Sequence, residues 1–136
     1  MKPFPVKTEK LAGYSDQEVI KKAKDYFKAV ERKTKRQPYI RSAYFGKQKI
    51  FFTYFWKHLY QKPPRERRRR LQFFPCALEL IQKCRNAPES MINVSKEIEI
   101  LHRFRGVTKD KQVFFVQIKE NRKTDRKEFM SVFPEK

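Results

Sequence analysis

The chain has 136 residues, the size of one domain, and such a domain can bury a core without disulfides or metals. Thirty-four Lys and Arg stand against fifteen Asp and Glu, for a formal charge of +19 and a pI near 10.2. Charge of that size opposes compaction and calls for an anionic partner, most simply a phosphate backbone, whose condensed counterions are released on binding. The apolar runs fall far short of the ~20 residues that span a bilayer, and Met1 to Lys10 lacks the apolar stretch of a secretory signal. No membrane association and a cytoplasmic location are therefore expected.

Residues 1–14 are rich in Pro and Lys and read as an irregular basic segment. Ser15-Asp16-Gln17-Glu18 is a capping box, and Val19, Ala23, Tyr26, Phe27 and Val30 follow at helical spacing. Residues 15–37 thus read as an amphipathic N-terminal helix, closed by Pro38, with Lys21, Lys24, Lys28, Arg32 and Lys35 on its polar face. The signal is weak over 39–46, where Gly46 turns the chain. Lys49 to Thr53 reads as a short buried strand, and Thr53 as the cap of a brief helix, Tyr54 to Gln61, that Pro63-Pro64 ends. The run Arg65-Glu66-Arg67-Arg68-Arg69-Arg70 opens another helix with the apolar stripe Leu71, Phe74, Leu78 and Ile81, which Pro75 either restarts or kinks. Cys76 and Cys84 are separated by ~12 Å of helical rise, too far for a disulfide, and match no zinc pattern. They read as small core hydrophobes.

Three C-terminal segments, Ile98 to Val107, Val113 to Glu120 and Glu128 to Phe133, alternate with period two and are joined by polar loops. They predict an antiparallel meander. Phe114, Val116 and Ile118 belong to its core face, together with Ile98, Ile100, His102 and Phe104 on one side and Met130 and Val132 on the other. The opposite face then carries Arg103, Arg105, Phe115, Gln117, Lys119, Phe129 and Ser131. Such a face suits single-stranded nucleic acid: cations hold phosphates, and rings accept stacked bases at roughly 1–3 kcal/mol each. Arg65, Arg67, Arg68, Arg69 and Arg70 add a phosphate clamp at a helix start. His102 reads as a satisfied core histidine. His58, just ahead of the arginine run, is a candidate proton acceptor, its pKa lowered by the surrounding cations. No phosphate-binding glycine loop, catalytic serine elbow, H-E-x-x-H pattern or carboxylate cluster is present, so no metal or cofactor is expected.

Three segments share a resemblance. They are Lys-Ile-Phe-Phe-Thr-Tyr-Phe-Trp-Lys-His-Leu, the arginine-rich helix ending in Pro-Cys-Ala-Leu-Glu-Leu-Ile, and the stretch from His-Arg-Phe-Arg-Gly-Val to Phe-Met-Ser-Val-Phe-Pro. Together, over about residues 47–134, they resemble the phage-associated nuclease domains of the barnase, EndoU, colicin and RelE-like superfamily, the BECR fold. The resemblance implies an α+β fold with N-terminal helices packed on one face of a four-stranded antiparallel sheet, and an active site on the exposed face. It implies a metal-independent endoribonuclease of toxin or mobile-element type that cleaves tRNA or ribosome-associated RNA by 2′-OH attack on phosphate. An antitoxin or inhibitor protein is then a further partner. His58, Lys119 and Ser131 match the family's polar site positions, and Arg105 would stabilise the phosphate. The sequence departs from barnase-type members in lacking an obvious acidic base on the open face, where Glu99 is the one candidate. The alternative reading is a non-catalytic RNA- or DNA-binding accessory protein on the same scaffold.

Overall fold

A computed structural model of the chain describes residues 2–93, 95 and 98–135. The N-terminal half holds β1 (Phe4–Pro5), α1 (Asp16–Arg32), β2 (Tyr39–Ser42), β3 (Gln48–Phe51), α2 (Phe55–Tyr60) and α3 (Pro64–Leu71). It is followed by α4 (Phe74–Lys83), β4 (Glu89–Ile92), β5 (Glu99–Val107), β6 (Val113–Asn121) and β7 (Lys127–Pro134). The expected meander is present: β5, β6 and β7 pair antiparallel along most of their length.

The expected four-stranded antiparallel sheet with N-terminal helices on one face is not what forms. The sheet has seven strands in the order β1-β5-β6-β7-β3-β2, with β4 beside β5, and it curls into a half-barrel. It is mixed, because β1 runs parallel to β5 and β3 parallel to β7. Only α1 is N-terminal; α2, α3 and α4 lie between β3 and β4. The added strands carry no periodic signal. β1 has two residues, β2 and β4 have four each, and every β4 residue is exposed. Such strands join the sheet through backbone N–H and C=O groups that every sequence possesses.

Helix α4 is buried from Phe74 through Ile81 and forms the centre of the core. Its restart is the first of the two outcomes open to Pro75, which sits in the first turn, where a missing N–H leaves no bond unmade. Gly106 of β5 lets the helix approach: a Cβ there would lie 2.7 Å from Leu80 and 2.5 Å from the Phe114 ring. Burial all round would strand Glu79, were it not for the N-terminal segment. The backbone N–H groups of Lys7 and Thr8 and the Thr8 hydroxyl all donate to its carboxylate. Burial acts to raise the Glu79 pKa, but these donors, with Lys83, hold it below the usual carboxylate range. Residues 2–14 are therefore not irregular throughout. They form a strap that pairs with β5, donates from Val6 to the Val107 carbonyl at 2.9 Å, and tucks its chain under α4.

The capping box forms, with Ser15 accepting from the Glu18 N–H at 3.2 Å. α1 buries Val19, Ala23 and Val30 and ends at Arg32, short of Pro38. Cys76 and Cys84 are free and buried, and burial pushes the Cys76 thiol up to about 12. One hydrophobic cluster runs from Val6 to Val132 and includes α1. No described helix is long and apolar enough to cross a membrane.

Candidate nucleic-acid interface

The register of β6 against β7 shifts between Gln117, opposite Ser131, and Ile118, opposite Phe129, leaving Met130 as the extra residue of a β-bulge. One unpaired residue exchanges the faces of everything before it. Phe129, expected on the open face, is instead fully buried, stacked on Phe55 with centroids 4.5 Å apart and planes at 16°. It offers no surface to a base. Lys127, two residues before it on the same side of the strand, is likewise turned inward: it is 3% exposed and lies 2.9 Å from Asp125 and 4.0 Å from Glu120. Past the bulge the alternation is regular: Ser131 stays on the face of Gln117, as expected, but is only 5% exposed, and Phe133 joins Phe115 on that face, half-buried.

Three cross-strand rows make up the open face. Arg105, Phe115 and Phe133 form the first, Arg103, Gln117 and Ser131 the second, and Leu101, Lys119 and Glu128 the third. The Phe115 and Phe133 rings are half-buried with centroids 5.5 Å apart. The Arg103 guanidinium lies 5.6 Å from each of them, and Arg70 lies 5.4 Å from Phe133. Ser131 donates to the Gln117 side-chain oxygen at 3.2 Å. Lys119 Nζ stands 3.8 Å from the Tyr54 ring centroid and 3.4 Å from the Glu99 carboxylate. Arg105 pairs with Glu135 at 3.5 Å, at the other end of the face. Its row and that of Lys119 are four residues of strand apart, ~13 Å.

Strand β3 reaches β7 only at Lys127 and Glu128, and α2 and α3 cover the β7 edge beyond that point. This brings His58 against Arg70, Met130 and Ser131. Burial first, then Lys62 and Arg70, lowers the His58 pKa below its ordinary value, so its imidazole is neutral at pH 7. The arginines of the run point to different partners. Arg67 pairs with Asp16 at 3.6 Å and Arg68 donates to the Tyr14 carbonyl at 2.6 Å, tying α3 to the start of α1. Arg69 and Arg70 bracket Glu66 at 3.3 and 2.9 Å and hold its carboxyl below the usual range. Arg65 is exposed, and Arg70 is the member seen to reach the sheet face.

The sequence-predicted residues thus fall into groups. His58, Arg70 and Ser131 meet at the β7 edge; Arg103, Arg105, Phe115 and Gln117 share the face, with Arg105 directly opposite Phe115; Lys119 stands one row beyond Gln117, away from Arg105. Tyr54, Glu128 and Phe133 went unremarked as site residues. Tyr54 had a signal, since it precedes His58 by one helical turn and so shares its side of α2. His102 is a satisfied core histidine, as expected: its ring nitrogens lie 2.7 Å from the Ser90 hydroxyl and 2.8 Å from the Glu120 carboxylate. Among the described residues, no group of three or more His, Cys, Asp or Glu is placed to hold a metal ion. Comparison of the chain with protein-family models, with curated proteins and with solved structures finds no match.

Proposed function

We propose that the protein binds single-stranded RNA across the open face of β5, β6 and β7. The observation that carries this is the pair of adjacent rings, Phe115 and Phe133, flanked by the guanidinium groups of Arg103 and Arg70. Bases stack on such rings while cations beside them take the phosphates. Gln117, one row away and half-buried, presents an amide suited to a ribose 2′-OH, and the buried Ser131 hydroxyl behind it orients that amide. The carboxylates that border this face are each matched by a cation: Glu99 by Lys119, Glu128 by Arg126 and Glu135 by Arg105.

Cleavage of the bound RNA is a second reading, favoured by the neutral His58 imidazole beside Arg70 and Ser131. In this reading His58 takes the 2′-OH proton as the 2′-oxygen attacks the adjacent phosphorus. Arg70 offsets the charge that develops on the phosphate, and Lys119 returns a proton to the departing 5′-oxygen. The products are a 2′,3′-cyclic phosphate and a 5′-hydroxyl.

One experiment tests both readings. Labelled RNA is incubated with the protein in EDTA at about 0.1 M salt and followed by binding and by gel. Discrete products that disappear in His58→Ala support cleavage; intact RNA bound with strong salt sensitivity supports binding alone. Absence of binding at that salt sinks both readings.

A further inference from the structure

Away from the meander, the C-terminal end of α1, the hairpin β2–β3 and the end of α4 enclose an open trough of about 1130 Å³. It is larger than the ~300–1,000 Å³ usual for a small-molecule site. Its cations are Lys33, Arg41, Lys47 and Arg85, and no carboxylate is among its lining residues. Among the described residues none of these four cations is ion-paired with an acidic side chain. Tyr26 and Tyr44 line it as well, 45% and 38% exposed. The hairpin that builds it turns at Gly46 and Lys47, both at positive φ, which brings Lys47 back toward β2 and lets its carbonyl accept from Arg41 at 3.0 Å.

The trough does not stop at β2. A second depression of about 750 Å³ shares Lys33, Thr34 and Tyr39 with it and continues past Lys35, Arg36 and Lys49 to Phe51. Tyr39 is the hinge of the two, with Lys49 4.7 Å and Arg41 5.4 Å from its ring centroid. An elongated channel in which cations alternate with exposed or half-buried rings, with no acidic group among its lining residues to repel phosphate, matches a strand of several nucleotides better than one nucleotide.

We propose that this trough is a second nucleic-acid-binding site, which takes a single-stranded segment with phosphates on Lys33, Arg41 and Arg85 and bases on Tyr39 and Tyr44. The proposal extends the RNA-binding reading of the open face but does not use its residues. The cations are solvent-exposed, so their replacement leaves the core intact.

The test uses the full chain with the open face disabled by Arg103→Ala and Phe115→Ala, and a photoreactive oligouridylate of roughly 10 nucleotides, within the usual span of such sites. Retained binding, with cross-links on Tyr39 or Tyr44, is the expected result. Adding Arg41→Ala and Arg85→Ala should then make the salt slope shallower by roughly one per cation removed and abolish the cross-links, with an unchanged melting temperature. If the open-face variant binds nothing while the unsubstituted chain binds, the second site is wrong and the first stands. Binding and cross-links indifferent to Arg41→Ala and Arg85→Ala also overturn it. Failure of the unsubstituted chain to bind overturns both sites.

Discussion

Phe115 and Phe129 are the same residue type on neighbouring strands of one sheet, and the bulge at Met130 gives them opposite work. Phe129 stacks on Phe55 in the core, so Phe129→Ala should cost about 3–5 kcal/mol, read as a lower urea midpoint. Phe115→Ala should cost far less stability and weaken RNA binding instead, by about 5- to 150-fold, as a lost stacking platform of ~1–3 kcal/mol predicts. If the two substitutions behave alike in both assays, the assignment of faces is wrong. His58 makes a pH-dependent contribution. Its folded pKa lies below the ordinary 6.5, so the unfolded chain binds the proton more readily. Stability from this group is complete above the unfolded value and declines as pH falls from there through the folded value. Comparing urea midpoints of the protein and of His58→Gln between about pH 5 and about pH 7.5 isolates the effect. The difference should grow toward neutral pH.

At the level of elements, α4 is held by two unlike contacts. On one side the sheet touches it through Gly106, and Gly106→Ala forces a methyl group into Phe114 and Leu80. The expected penalty is about 1–3 kcal/mol, and a thermal melt should show it. On the other side the strap depends on Glu79. Glu79→Ala should cost about 2–3 kcal/mol, that of lost hydrogen bonds to a charged acceptor, and amide exchange should accelerate at Lys7 and Thr8. Because the Glu79 pKa is depressed, acid acts in the same direction: its contribution is present above the ordinary carboxylate pKa and is lost as pH falls through the folded value. Exchange at Lys7 that is unchanged in Glu79→Ala would mean that β1 pairing alone secures the strap. The relation of α2 to β7 has a similar logic. β3 leaves β7 after two residue pairs, and the edge so exposed is covered by the elements that carry His58 and Arg70.

Across the whole molecule, the charge of +19 is distributed rather than pooled. Some of it is structural, as in the ties of Arg67 and Arg68 to α1, and some is spread over the open face and the β2 trough. If both surfaces are occupied with roughly six phosphates, log K should fall with log salt at a slope of about −4, measurable by anisotropy titration. A slope near zero would exclude phosphate contacts as the source of affinity. Net charge, the capped helix α1, the period-two meander and the inward turn of His102 were all legible in the order of residues. Each rests on local chemistry: a side chain capping its own helix, or an alternation imposed by the pleat. The two-residue β1, the exposed β4, the parallel pairings and the bulge were not, because they depend on backbone groups finding partners distant in sequence. The same holds for the site. A run of arginines announces its charge, but whether each one binds Asp16, the Tyr14 carbonyl, Glu66 or the Phe133 ring depends on which elements the fold packs beside α3. Phe129 passed from the candidate surface to the core for that reason: one unpaired residue, set by the match of β7 to β6, inverts the alternation on which its placement relied.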